Sequence, residues 1–326
     1  MIGRKPDAGR IEAHLDSLKS AKWIGPARQW WPNFVFFFAD LPNALRILKD
    51  GKLVCRSQAQ MAVDTGSEKV LGWTADEWKD CVRLYFRPRT PTQHQIEGFR
   101  PAGHFDSLGK HMPVPIFLLF DAKDVLTRRT TRFSTGNLSQ DPSVGDDAAF
   151  FEAIPFEKVY HDSWMREEEK AEIKFHRHAE IIVPHELALD GLRRIWCRSE
   201  AEYQTLLHLL PSNVAKKFRE IIGQGKRPSM HFCKWTFVES TTLEQNRTSF
   251  AFNQSTMTPG PFTAEVRVTN QRTGDEYKWR NTQFQTTKPL VVRIPQIDRP
   301  TAYDVRFSFD DVNAYAGKFS PKVTLF

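Results

Sequence analysis

Cysteine is sparse and never closely paired: Cys55, Cys81, Cys197 and Cys233 stand far apart, with no Cys-x-x-Cys spacing. That pattern argues against a disulfide framework or a zinc ribbon and leaves free, buried thiols as the expectation. Long apolar runs are missing too. The longest, Val35 to Ala39 and Ile116 to Phe120, fall far short of the ~20 residues a membrane helix needs. No apolar leader follows the charged stretch Met1 to Arg10, so a cytoplasmic protein with no membrane partner is expected. Gly-rich phosphate-loop, His-Glu-x-x-His and Gly-x-Ser-x-Gly patterns are absent, which removes three common enzyme classes. The ten histidines are scattered, and no metal site is expected.

What is present fits a folded chain of more than one domain: 326 residues, 40% hydrophobic and 26% charged. The net charge of +7 favours an anionic partner without identifying it. Clusters such as Arg128, Arg129 and Arg132 could line a phosphate groove or be ordinary solvated faces.

Ile11, Leu15 and Leu18 predict a helix over residues 8–20, and the aromatic run Asn33 to Asp40 predicts a buried strand. Pro42 suits the first turn of the next helix and Gly51 its C-terminal cap. Val82 to Phe86, Pro115 to Asp121, Ala179 to Val183 and Leu192 to Cys197 read as further strands. Residues 133–148 read as a loop, and Glu200 to Ile222 as helix broken at Pro211. After a linker over Gly223 to Pro228, about seven short strands recur, with alternation in Ala264, Val266, Val268 and in Val305, Phe307, Phe309. The expected fold class is α+β: a mixed α/β domain over residues 1–228, then an all-β, immunoglobulin-like sandwich over 229–326.

Four segments carry a further signal. They are Asn43 through Leu53, Tyr85-Phe86-Arg87-Pro88-Arg89-Thr90-Pro91, Phe133-Ser134-Thr135-Gly136-Asn137, and Arg177-His178-Ala179-Glu180-Ile181-Ile182-Val183. In order and content they resemble the motifs of DarT-type ADP-ribosyltransferases over about residues 33–200. The resemblance implies an NAD-consuming enzyme that modifies a base in single-stranded DNA or RNA. It further implies a toxin restrained by an antitoxin and linked to phage defence, with Glu180 and Arg89 catalytic. Phe37, Asn43, Tyr85, Arg89, Thr90 and Asn137 would then hold NAD, used as a substrate. Trp164, His161, Arg177 and His178 would meet the acceptor.

The chemistry agrees with these residue types. Breaking the nicotinamide–ribose bond passes through an oxocarbenium-like state, which a fixed carboxylate stabilises more than the ground state. Glu180 at a strand start would do this; without the resemblance an ordinary rim carboxylate is the favoured reading. Arg89, between Pro88 and Pro91, suits an anion clamp or a surface turn. One departure stands out: relatives carry a histidine in the first strand, where this chain has Phe36-Phe37-Phe38-Ala39. Either NAD is held differently, or the register is shifted, or activity is lost. A protein-directed transferase or NAD hydrolase, and an inactive nucleic-acid-binding relative, are the competing readings. The added sandwich could bind an antitoxin, a chaperone or the substrate strand.

Overall fold

A computed structural model describes residues 3–61, 76–101, 103–104, 111–140, 142–225, 230–294 and 301–321. The chain divides into two compact units that interleave along the sequence. The first comprises Met1–Gln95, Ile116–Trp196 and Arg227–Phe232, and the second Ile96–Pro115, Cys197–Lys226 and Cys233–Phe326. The expected boundary at 228/229 lies outside the described residues. Segments 96–115 and 197–226, read from sequence as parts of the first domain, belong to the second unit.

In the first unit, helix α1 (Ala8–Lys19) buries Ala8, Ile11, Leu15 and Leu18 on one face. Strand β1 (Phe34–Asp40) leads directly into α2 (Leu41–Asp50). Pro42 sits in the first turn of α2, where its missing N–H is no loss. Gly51 ends the helix at φ 74°, a left-handed conformation that glycine adopts at no steric cost, and donates its N–H to the Ile47 carbonyl at 2.9 Å. The strands that follow are β2 (Lys52–Val54), β3 (Cys81–Tyr85), β4 (Pro115–Asp121), β5 (Arg132–Ser134), β6 (Val144–Gly145), β7 (Glu180–Pro184), β8 (Glu186–Ala188) and β9 (Leu192–Cys197). The main sheet runs β9-β4-β1-β3-β7-β5-β6, and β2 pairs with β8 apart from it. Every residue of β4 from Pro115 to Phe120 is buried, as an inner strand covered on both faces requires. The segment 133–148 is not a plain loop. It holds the β5–β6 hairpin, in which Phe133 faces Gly145, and a helical turn over Leu138–Gln140. Its polar residues meet hydrogen-bond needs inside the hairpin, so low hydrophobicity concealed the structure.

The second unit carries helix Glu200–Leu209, capped by Ser199, whose hydroxyl accepts from the Glu202 N–H at 3.2 Å. Strand β10 (Ile222–Gln224) follows. Then come β11 (Val238–Glu244), β12 (Arg247–Phe252), β13 (Phe262–Asn270), β14 (Glu276–Phe284), β15 (Leu290–Arg293), β16 (Tyr303–Phe309) and β17 (Val312–Phe319). They form two antiparallel sheets, β11-β12-β15 and β14-β13-β16-β17. This is an immunoglobulin-like order with the fourth strand on the second sheet. The sheets meet through aromatic rings, such as Phe250 on Phe307 at 4.6 Å and Phe252 on Phe309 at 5.8 Å between centroids. Among the described residues no helix is long and apolar enough to cross a membrane.

Candidate active site

Three residues stand in one row across the first unit's sheet. Tyr85 ends β3 and lies opposite Phe36 of β1 on one side and Glu180 of β7 on the other. Directly opposed residues in a sheet share a face, so Phe36, Tyr85 and Glu180 point the same way. Arg83, two residues before Tyr85, joins that face.

Glu180 is buried, with 1% of its side chain exposed, and its position is set from several directions. Its N–H donates to the Ser134 hydroxyl at 2.8 Å, and that hydroxyl donates in turn to the Gly136 carbonyl at 2.7 Å. The Arg83 guanidinium grips both carboxylate oxygens, Nε to Oε2 at 2.5 Å and Nη2 to Oε1 at 2.6 Å. The Leu138 N–H reaches Oε1 at 3.4 Å. A two-pronged grip of this kind fixes orientation as well as charge. Despite the cost of burial, Glu180 holds the Arg83 proton on more firmly than usual. Gly136 is required by a close approach, since a Cβ there would fall 2.3 Å from the Phe175 ring. Tyr85 stacks on Phe38, with centroids 5.8 Å apart at 22°. Burial, aided by the Glu180 charge, pushes its phenol up, so it stays a neutral hydroxyl.

A second cluster follows β3. Asp162 bridges two arginines, its Oδ1 accepting from Arg87 Nη2 and its Oδ2 from Arg89 Nη1, both at 2.6 Å. Arg87 is wholly buried. It also donates to the carbonyls of Pro88 at 2.9 Å, Val159 at 3.0 Å and His161, and it lies over the Trp31 ring at 4.9 Å. Burial pulls its pKa down to about 9, against the attraction of Asp162, so at neutral pH it remains charged. Arg89 adopts φ 56°, unusual for a residue with a side chain. Its N–H is held by Gln93 Oε1 at 2.7 Å and its guanidinium lies 4.6 Å over the Phe232 ring.

The remaining expected site residues divide. Thr90 caps the helix Pro91–Ile96, its hydroxyl accepting from the Gln93 N–H at 3.1 Å. Asn137 adjoins Leu138 beside Glu180, and its Oδ1 accepts from the Ser139 N–H at 3.1 Å and hydroxyl at 2.9 Å. His178 lies near the Glu180 row, with Nδ1 donating to the Lys174 carbonyl at 3.0 Å and Nε2 facing the Thr92 hydroxyl at 3.2 Å. His161 accepts from Arg177 Nη2 at 2.9 Å through Nδ1, so Nε2 carries the proton toward Ser163 Oγ at 3.1 Å. Trp164, 81% exposed, presents its indole to solvent. Asn43 lies in the first turn of α2, which follows the C-terminal end of β1, whereas Phe36 is near the strand's start. Phe37 lies on the opposite face from Phe36 and Phe38, because side chains alternate along β1.

Burial lowers the pKa of both His178 and His161, with Arg177 adding to the effect at His161. The unfolded chain therefore takes up protons below about pH 6.5 that the folded state resists. The stability from these neutral imidazoles is fully present above that pH and falls as the solution is acidified. A melting temperature measured from pH 7.5 downward should decline on the acid side, and His161→Asn should lessen the decline. A pH slope unaltered in that variant would show that His161 is not part of it.

Sequence reasoning passed over Arg83, and it gave Ser134 and Asp162, both within segments it singled out, no role of their own. The available signal was a lone arginine inside the apolar strand Val82 to Phe86, which needs a buried counter-charge. Among the described residues no group of His, Cys, Asp and Glu is placed to hold a metal.

The sequence model of one family, the ssDNA thymidine ADP-ribosyltransferase DarT, matches residues 36–225. No curated protein matches. The fold is similar to DarT from Thermus sp. 2.9 solved with ADP-ribosylated ssDNA, at 16% identity and a TM-score of 0.50, covering 62% of this chain and 97% of that one. The same Thermus protein solved with NAD+ aligns at 16% identity and a TM-score of 0.48, covering 62% and 98%. DarTG from Thermosipho africanus solved with ADP-ribose aligns at 14% identity and 0.46, covering 66% and 54%.

Proposed function

Because the chain belongs to the DarT family of ssDNA thymidine ADP-ribosyltransferases, we propose that it transfers ADP-ribose from NAD+ to a base in single-stranded DNA, with Glu180 as the catalytic carboxylate. The observation that carries this reading is Glu180 itself, buried at a strand start and aimed by Arg83, Ser134 and Leu138. Glu180 accepts a hydrogen bond from a ribose hydroxyl and faces the positive charge that grows as nicotinamide departs. Oε1 takes Arg83 and the Leu138 N–H, while Oε2 keeps a lone pair beyond the one used by Arg83, so the grip orients the carboxylate without filling it. Tyr85 and Phe38 supply an aromatic wall beside it, and Arg89 gives a cation for a phosphate-bearing ligand once Asp162 shares it. Nicotinamide leaves with the bonding pair, the base nitrogen bonds to the anomeric carbon, and the proton that nitrogen carried passes to water.

Trp164 stacks on the acceptor base or its neighbour, since every base offers a flat face to an exposed aromatic. His161 and Arg177 position the segment that carries it. Asn137 and Thr90 shape the NAD side through the turns they cap, while Phe37, on the other face of β1, contributes indirectly. Modification of a cell's own DNA is harmful, which fits a toxin held by a protein antitoxin, in the cytoplasm, in a toxin–antitoxin or phage-defence setting.

The experiment is incubation with NAD+ labelled in its adenylate and separate pools of single-stranded DNA, duplex DNA, RNA and cell protein. Label is expected on single-stranded DNA. Duplex should be poor, because taking a base out of its stack costs a few kcal/mol. Label on protein with nucleic acid untouched would overturn the reading, and a preference for RNA would move the acceptor to ribonucleotides.

A further inference from the structure

Around the catalytic row Arg83 is matched by Glu180, while Arg87 and Arg89 share the single carboxylate of Asp162, which leaves one net positive charge. One charge meets one phosphate, so a longer polyanionic strand needs further counter-charge beyond the row. A cavity of about 540 Å³ in the first unit, where β1 and β9 begin and β4 ends, is lined by Lys19, Lys123, Arg193 and Arg194, with Phe34 on its wall. Lys19 and Lys123 share the Asp16 carboxylate at 2.7 and 2.8 Å, and Arg193 reaches Asp121 at 3.3 Å. Four cations thus face two carboxylates. Arg194 is exposed and bonded to none of them. The cavity bounded by Glu157, Glu169 and Glu172 carries the opposite charge and would repel the same ligand.

Position makes this basic cavity relevant. Phe34 is two residues from Phe36 on the same strand face, and Phe36 begins the row through Tyr85 to Glu180. Two strand spacings across and two residues along place Phe34 about 12 Å from Glu180. Phe34 packs near Phe36 at 6.5 Å and Trp30 at 6.1 Å, so aromatic surface continues from the cavity toward the row. Cations beside an aromatic wall are the features that hold single strands, the charges on the phosphates and the rings under the bases.

We infer that this cavity binds backbone phosphates of the DNA strand flanking the acceptor base, with Arg193 and Arg194 as the principal contacts. The inference rests on the reading of the chain as a transferase acting on single-stranded DNA. It gives the enzyme a second hold on its strand, so long acceptors bind better than short ones for a reason separate from the catalytic pocket.

The test uses the full chain, a long oligothymidylate and a short one spanning only the acceptor base and its neighbours. Binding is followed by fluorescence anisotropy across a salt series. Arg193→Gln/Arg194→Gln should weaken binding of the long strand roughly ten-fold at low salt. It should also reduce the log–log salt slope by about 0.7 for each phosphate that the variant no longer neutralises. Binding of the short strand should stay unchanged. In the labelling assay KM for the long strand should rise while kcat and KM for NAD+ hold, and Arg193→Lys/Arg194→Lys should recover most of the affinity. An unchanged salt slope overturns the inference. So does a raised KM for NAD+ with strand affinity intact, which would assign the cavity to the pyrophosphate. Binding needs no catalysis, so a protein with an arginine-dependent slope that labels no DNA would refute the functional reading and leave the cavity's assignment standing.

Discussion

Glu180→Gln is expected to lower the rate of nicotinamide release by about 10²–10³-fold, the usual loss when a preorganised electrostatic contact to a transition state is removed. The variant keeps shape and one acceptor oxygen but cannot oppose the positive charge that grows at the ribose. NAD+ binding should change much less, because the carboxylate acts chiefly on the transition state. The fold should survive. Arg83 loses its counter-charge, yet its side chain is 25% exposed and water can take over part of the grip. A stability loss of about 1.5–3 kcal/mol is therefore expected, the range for hydrogen bonds to charged groups. Arg89→Ala should behave differently, weakening NAD+ or strand binding along with the rate, since a cation of that kind acts before the bond breaks. Single-turnover release of nicotinamide, measured beside NAD+ affinity, separates the two. A Glu180→Gln protein that releases nicotinamide at the normal rate would remove Glu180 from the mechanism.

Sequence made the scaffold legible wherever a local rule was strong. Pro42 and Gly51 bracket α2 because each has a backbone preference that its neighbours do not alter. The alternation of Val305, Phe307 and Phe309 foretells the buried face of β16 for the same reason. Local pattern gives no account of partnership. Helix Glu200–Leu209 looks like a continuation of the domain before it, yet its unit includes β17, where the Ala316 N–H donates to the Thr205 hydroxyl at 3.0 Å. Likewise, the run around Phe37 is legible as a buried strand, but only strand pairing reveals that Phe36 and Phe38, one residue to either side, share the face of Tyr85 and Glu180. A shift of one residue exchanges the faces, and no composition rule resolves it. Glu180 could be picked out as a candidate from its motif. Arg83 stands out in sequence only as a lone charge in an apolar strand, and its partner, 97 positions away in the chain, is visible only in the fold.

Asp162→Asn is expected to be the most destabilising single change in the catalytic region. Arg87 has no exposed surface, while Asp162 is 12% exposed and supplies its nearest negative charge. The three carbonyls that Arg87 also meets satisfy donors but carry no net charge. Stripping the partner from a buried ion typically costs about 3–5 kcal/mol, because the remaining charge is left without compensation in a medium that solvates it poorly. Burial already weakens Arg87's hold on its proton with Asp162 present, so losing that carboxylate removes the main force opposing the cost of burial. A compensating change should reverse the effect. Replacing Arg87 by Met in the Asp162→Asn background removes the orphaned cation, and swapping a buried pair for apolar contacts is often close to neutral. Chemical denaturation should thus find the double variant more stable than Asp162→Asn alone. Turnover should not return with stability, because Arg89 is still without the carboxylate that holds its guanidinium. If Asp162→Asn and the parent unfold at the same denaturant concentration, the carbonyls alone sustain Arg87 and Asp162 is a ligand to Arg89 only.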